Sequence, residues 1–129
     1  MPLRRACEDA LASFDHAVSV VVIDGTSGTP LASAARTPGD VTLTLATSIA
    51  ALAHHVPGTL TTVLAKTRLA GTPTGPVDEA LFQEGANAHF VKSLQKGSAF
   101  LVVAARNASN VGLAWVHVRS AALQLEALL

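Results

Sequence analysis

The chain has 129 residues, 50% of them hydrophobic and only 14% charged, with nine basic residues balancing nine acidic ones for a formal net charge of zero. That length suits a single domain over residues 1–129, and the balanced charge, with neither sign gathered into a block, excludes a phosphate-backbone footprint or an anionic-membrane surface. A charged share well under the usual figure of about 25% leaves a small monomer short of polar surface, so self-association or a protein partner is expected, and nucleic acid is not.

The first element, Leu3 to Phe14, gathers Leu3, Cys7, Ala10, Leu11 and Phe14 on one side and turns Glu8 and Asp9 away from it, the pattern of a short amphipathic helix. Cys7 is the single cysteine, which rules out an intramolecular disulfide and any multi-thiolate metal site. Arg4 and Arg5 imitate the start of a signal peptide, but Glu8, Asp9 and Asp15 interrupt the apolar core that such a peptide needs. No stretch approaches the roughly 18 apolar residues of a membrane span, and a cytoplasmic location is expected.

Val18–Ile23 is an almost unbroken apolar run, and it lacks the alternation of a strand with one wet face. It reads as a strand covered on both sides. Asp24-Gly25-Thr26-Ser27-Gly28 follows as a hairpin turn into a second strand, Thr29–Ala34. Pro30 cannot donate to a ladder, so that strand lies at a sheet edge or opens with a bulge. The Gly-Thr-Ser-Gly sequence resembles a fragment of a phosphate-binding loop, but such a loop leads into a helix, usually with a lysine, whereas this one leads to Pro30 and more strand.

Pro38-Gly39-Asp40 breaks the pattern and offers Asp40 as a helix cap. At about 100° per residue, Val41, Leu45, Ile49, Leu52 and Val56 form one stripe suited to packing on a sheet. Leu43, Ala46, Ala50 and Ala53 form a second, mostly small stripe that admits another backbone closely. A helix with two apolar faces needs two partners. Thr44, Thr47, Ala51, His54 and His55 fall on the remaining, partner-accessible face. Pro57-Gly58 should kink or end this helix before helical spacing resumes to about Leu69.

After a Gly- and Pro-rich loop, Glu79–Glu84 and His89–Gln95 read as strands separated by Gly85-Ala86-Asn87-Ala88. Lys96-Gly97-Ser98 then turns the chain into a second buried run, Phe100–Ala105. Val111, Trp115, Val118, Ala122, Leu125 and Leu129 space a final helix at intervals of three and four, with Trp115 expected in the core among aliphatic neighbours. The order is helix, two strands, helix, three strands, helix.

The chemistry-bearing residues do not assemble into a catalytic pattern. His54 and His55 are adjacent and point apart, where a helical metal pair wants a spacing of four; His16, His89 and His117 have no ligand-spaced carboxylates beside them. No nucleophile elbow is present, and Asp78, Glu79 and Glu84 fit ordinary solvated positions at strand ends. No enzyme activity, no metal and no cofactor is expected.

The chain resembles the Roadblock/LC7 family, and in particular its small bacterial members. The residues carrying the resemblance are Val20-Val21-Val22-Ile23-Asp24-Gly25 with Pro30-Leu31-Ala32-Ser33, and Phe100-Leu101-Val102-Val103-Ala104 with Asn110-Val111-Gly112-Leu113 leading into the last helix. Phe82-Gln83-Glu84-Gly85 and Leu45-Ala46-Thr47 add to it. The resemblance implies an α+β fold with a five-stranded antiparallel sheet in the order 2-1-5-4-3, the long middle helix on one face and the terminal helices on the other, as in profilins. It implies a homodimer joined through the middle helix and the third strand, here Leu43, Ala46, Ala50, Ala53, Ala80, Leu81, Phe82, Gln83 and Glu84. It also implies a scaffold or regulator of a small Ras-like GTPase, bound through Thr44, Thr47, Ala51, His54 and His55. A small-molecule-sensing domain and a purely structural dimerisation adaptor are the alternatives.

Overall fold

The structure, a computed structural model, describes residues 2–37, 46–50, 78–107 and 110–129. Helix α1 (Pro2–Ser13) precedes strands β1 (Ala17–Asp24) and β2 (Pro30–Ala35). Residues 46–50 are helical and are labelled α2. Strands β3 (Glu79–Glu84), β4 (Asn87–Leu94) and β5 (Ala99–Arg106) follow, with a 3-10 turn at Gln95–Gly97, and helix α3 (Val111–Glu126) completes the described residues.

The five strands form one antiparallel sheet in the order β2-β1-β5-β4-β3, the order that the family resemblance implied. The two apolar runs are neighbours at its centre, where Val21 pairs with Val102 and Val22 with Leu101. Successive side chains in a strand point to opposite faces, so a run with no polar breaks must be covered twice. Val20, Val22, Leu101 and Val103 enter a core cluster beneath α1 and α3, together with Cys7, Phe90, Val118 and Leu125. Val21, Ile23, Phe100 and Val102 enter a second cluster on the opposite face, with Val91 and the α2 residues Ala46, Ile49 and Ala50. The long middle helix expected over residues 40–69 lies otherwise outside the described residues.

Pro30 meets both conditions set by its missing donor. Strand β2 is an edge strand, and the register shifts at Val22/Ile23, opposite Pro30. In the turn before it, the Asp24 carboxylate accepts hydrogen bonds from the backbone amides of Thr26 (2.7 Å) and Ser27 (3.3 Å). The amides that an anion would need are thus taken by the turn itself. Gly25 lies against the 3-10 turn, where a Cβ would stand 2.3 Å from the Gly97 carbonyl oxygen, and its own amide donates to Ser98 O at 2.8 Å.

The β3–β4 connection is tighter than the four-residue gap expected from the sequence. Glu84 pairs with Asn87, so only Gly85 and Ala86 turn the chain, and β4 starts at Asn87 rather than His89. Gly85 has a φ of 58° while Ala86 is not among the positive-φ residues, the glycine-first arrangement of a type II′ hairpin. At the other end of the sheet, Arg36 fastens α1. Its guanidinium donates to the carbonyl oxygens of Leu11 (2.6 Å) and Phe14 (2.9 Å), at a helix C-terminus where carbonyls lack intrahelical donors, and to that of Ala17 (2.6 Å) at the start of β1. Helix α3 is capped by Asn110, whose side chain accepts from Leu113 N at 2.9 Å.

Candidate functional site

Strand β3 forms one lip of the sheet and pairs only with β4 among the described strands. Its Ala80 and Phe82 side chains pack on the second core cluster, which turns Glu79, Leu81 and Gln83 to the α3 side. Leu81 is 36% exposed and Gln83 is exposed. The Ser93 amide donates to Asp78 O at 2.7 Å. In an antiparallel ladder, hydrogen-bonded and non-hydrogen-bonded pairs alternate. Counting from that bond, Ala80 and Phe82 address β4 through their backbones, and Glu79, Leu81 and Gln83 present theirs to the open edge. A row of unpaired donors and acceptors on an extended strand is a template for another strand.

The α2 residues are arranged differently from the expectation. Ala46 and Ala50, assigned from their spacing to a second copy, are 3% and 2% exposed within this chain, in one cluster with Ile49 at 6%. Three residues at spacings of three and four occupy one helix face, so the small stripe and the sheet-facing stripe merge here, and both alanines cover the chain's own sheet. Thr47 is half-buried, its methyl 3.7 Å from where a Cβ at Gly28 would stand, and Ser48 is exposed. Leu43 and Ala53, with Thr44, Ala51, His54 and His55, lie outside the described residues.

An ionic cluster unforeseen in the sequence joins β3, β4 and α3. Arg119 donates through Nε (2.7 Å) and Nη2 (2.8 Å) to the two carboxylate oxygens of Glu79. The Lys92 ammonium lies 2.7 Å from Asp78 and 3.8 Å from Glu79. The hydrogen bond from Arg119 holds the Glu79 carboxyl below the usual carboxylate range, against a smaller opposing effect of burial. These acidic residues are therefore paired rather than merely solvated. The signal was present in the hairpin: a two-residue turn at Gly85-Ala86 sets Glu79 directly opposite Lys92. The Arg119 guanidinium sits 5.4 Å from the Trp115 ring centroid, and Trp115 meets Phe90 edge to face at 5.1 Å. Trp115 is half-buried and has an aromatic neighbour, where aliphatic ones alone were expected.

Between β3 and α3 lies an open groove of about 600 Å³, bordered by Lys92, Ser93, Arg119, Leu123 and Glu126. Its charged groups are engaged with one another or, for Glu126, with the amide of Gln95 at 2.9 Å. Among the described residues, no three His, Cys, Asp or Glu side chains gather as metal ligands, and no helix is long and apolar enough to cross a membrane. Cys7 is fully buried, and His16 and His117 flank the Phe14 ring, at centroid distances of 6.0 and 5.1 Å.

No family model and no curated protein matches the sequence. Solved structures do match the fold. MglB from Myxococcus xanthus superimposes with a TM-score of 0.70 at 17% identity, covering 98% of this chain and 93% of that one. A Roadblock/LC7 domain from Streptomyces avermitilis gives 0.63 at 16% identity, covering 99% and 95%. A profilin from Schizosaccharomyces pombe gives 0.63 at 9%, covering 98% of each chain. The architecture is that of the Roadblock/LC7 and profilin-like folds, over nearly the whole chain.

Proposed function

We propose that this chain is a non-catalytic, homodimeric scaffold that regulates a small Ras-like GTPase. The observation that carries the reading is the open edge of β3, in a fold like that of MglB and the Roadblock/LC7 domains. In the proposed dimer the edge residues Ala80, Leu81, Phe82, Gln83 and Glu84 pair with their copies and extend the sheet across two chains. Leu43 and Ala53 are proposed to meet the second middle helix. Ala46 and Ala50, already buried at home, are left out of the contact. Thr44, Thr47, Ala51, His54 and His55 are the proposed GTPase-facing residues. A small-molecule sensor is the weaker reading, because the charged side chains of the open groove already engage one another.

Leu81→Pro separates the possibilities. Its amide addresses the open edge, so proline there removes an outward donor and leaves the β3–β4 ladder bonds in place. Sedimentation equilibrium is expected to show a dimer for the native chain and a folded monomer for the variant, with folding checked by circular dichroism. A native chain that stays monomeric at high concentration refutes the dimer. Mixing the dimer with a Ras-like GTPase from the same genome is expected to give co-elution and a changed rate of GTP hydrolysis; neither effect with any such GTPase refutes the regulatory reading.

A further inference from the structure

We infer that α3 sets the competence of the assembly edge: the ionic clasp of Arg119 and Lys92 on Glu79 and Asp78 holds β3 in register, and so governs how tightly that edge takes up a second copy of the chain. This rests on the dimer proposed above.

Strand β3 is held from one face by Ala80 and Phe82 on the second core cluster, and the clasp acts from the other. The strand lies at the end of the sheet with one ladder, and its α3-side face carries the partly exposed Leu81 and the exposed Gln83 rather than buried apolar groups. What reaches it from α3 is the Arg119 guanidinium, gripping both oxygens of Glu79 at the first residue of the strand. Fork-to-fork pairs of this kind fix direction as well as distance.

The clasp is also anchored. Arg119 lies over Trp115, Trp115 meets the wholly buried Phe90 edge to face, and Phe90 is on β4, opposite Leu81. Lys92, whose side chain is 20% exposed, closes the other side at 2.7 Å from Asp78. Helix, core and edge strand are thereby linked through one contiguous set of side chains. The backbone groups of Glu79, Leu81 and Gln83 are useful to an incoming strand only while β3 is extended. A clasp that keeps it so removes an ordering cost that association would otherwise meet.

The test is a double-mutant cycle on the full chain with Arg119→Ala, Glu79→Gln and both together. Two readouts are taken: hydrogen exchange at the Ala80 and Phe82 amides, and the dimer dissociation constant by sedimentation. Each single change is expected to speed exchange and weaken the dimer about threefold to fivefold at low salt, and the double change to fall well short of the sum, since both break the Arg119–Glu79 pair. High salt is expected to move the native chain toward the variants while shifting the variants less, because the Lys92–Asp78 pair remains in all of them. Additive effects, unchanged exchange, or faster exchange with an unaltered dissociation constant each overturn the inference while leaving the dimer standing. A native chain that never dimerises overturns the dimer itself and the control with it.

Discussion

Cys7 shows how a single side chain can tie stability to pH. It is wholly buried in the cluster under α1 and α3, and burial, with a smaller contribution from the Glu8 charge, pushes its thiol from an ordinary 9.0 up to about 11. Above pH 9 the unfolded chain releases this proton while the folded chain keeps it, so the folded state binds more protons and stability falls as pH rises. The contribution is complete below pH 9 and is lost through about pH 11, a change on the order of 2 to 3 kcal/mol. Urea midpoints measured across that range are expected to drop for the native chain and to stay flatter for Cys7→Ala. The burial of Cys7 was legible from its place on the apolar side of the first helix. The roles of Arg36 and Arg119 were not, since their partners at Leu11, Phe14 and Glu79 lie far away in sequence and no local pattern announces them.

At the scale of elements, periodicity located the two terminal helices and the five strands, and turn chemistry set their ends less well. The unbroken runs of β1 and β5 announced two covered faces because water tolerates neither side of such a strand. The start of β4 was missed because Asn87 and Ala88 have weak strand preference, whereas Gly85 is what closes the hairpin. Among the described residues nothing lies within 4 Å of a Cβ added at Gly85, and the obstacle to a side chain is its φ of 58°. Gly85→Ala is therefore expected to destabilise by about 1 to 2 kcal/mol, with Gly85→Asn costing less, as read from chemical denaturation. Equal losses for the two would show that backbone handedness is not the cause. In α2 the helical wheel set Ala46 and Ala50 apart from Ile49, whereas all three enter the same cluster on the chain's own sheet.

For the molecule as a whole, the scarcity of charge has a visible outcome. On α3, Leu113, Val116 and Leu123 are 53%, 58% and 71% exposed. With an isoelectric point near 7.0, no net repulsion opposes contact between such surfaces at neutral pH. Solubility is expected to be lowest near pH 7 and to rise on either side, at pH 5.5 and pH 8.5, as followed by light scattering; a flat profile would show that charge is not limiting. Burial places the two covered runs centrally without saying which strand flanks which; the turns read at Asp24–Gly28 and Lys96–Ser98 join each run to its neighbour, in agreement with the order that the family resemblance implied.

The adjacency of β1 and β5 also shapes how the chain comes to be folded. Val21 cannot find Val102 until the chain has left the ribosome as far as that residue, so the hairpin of β1 and β2 waits with its inner border unmatched while everything between is being synthesised. A nascent chain that stalls before residue 99 carries two separate hairpins and no keystone between them, each with a strand border left open.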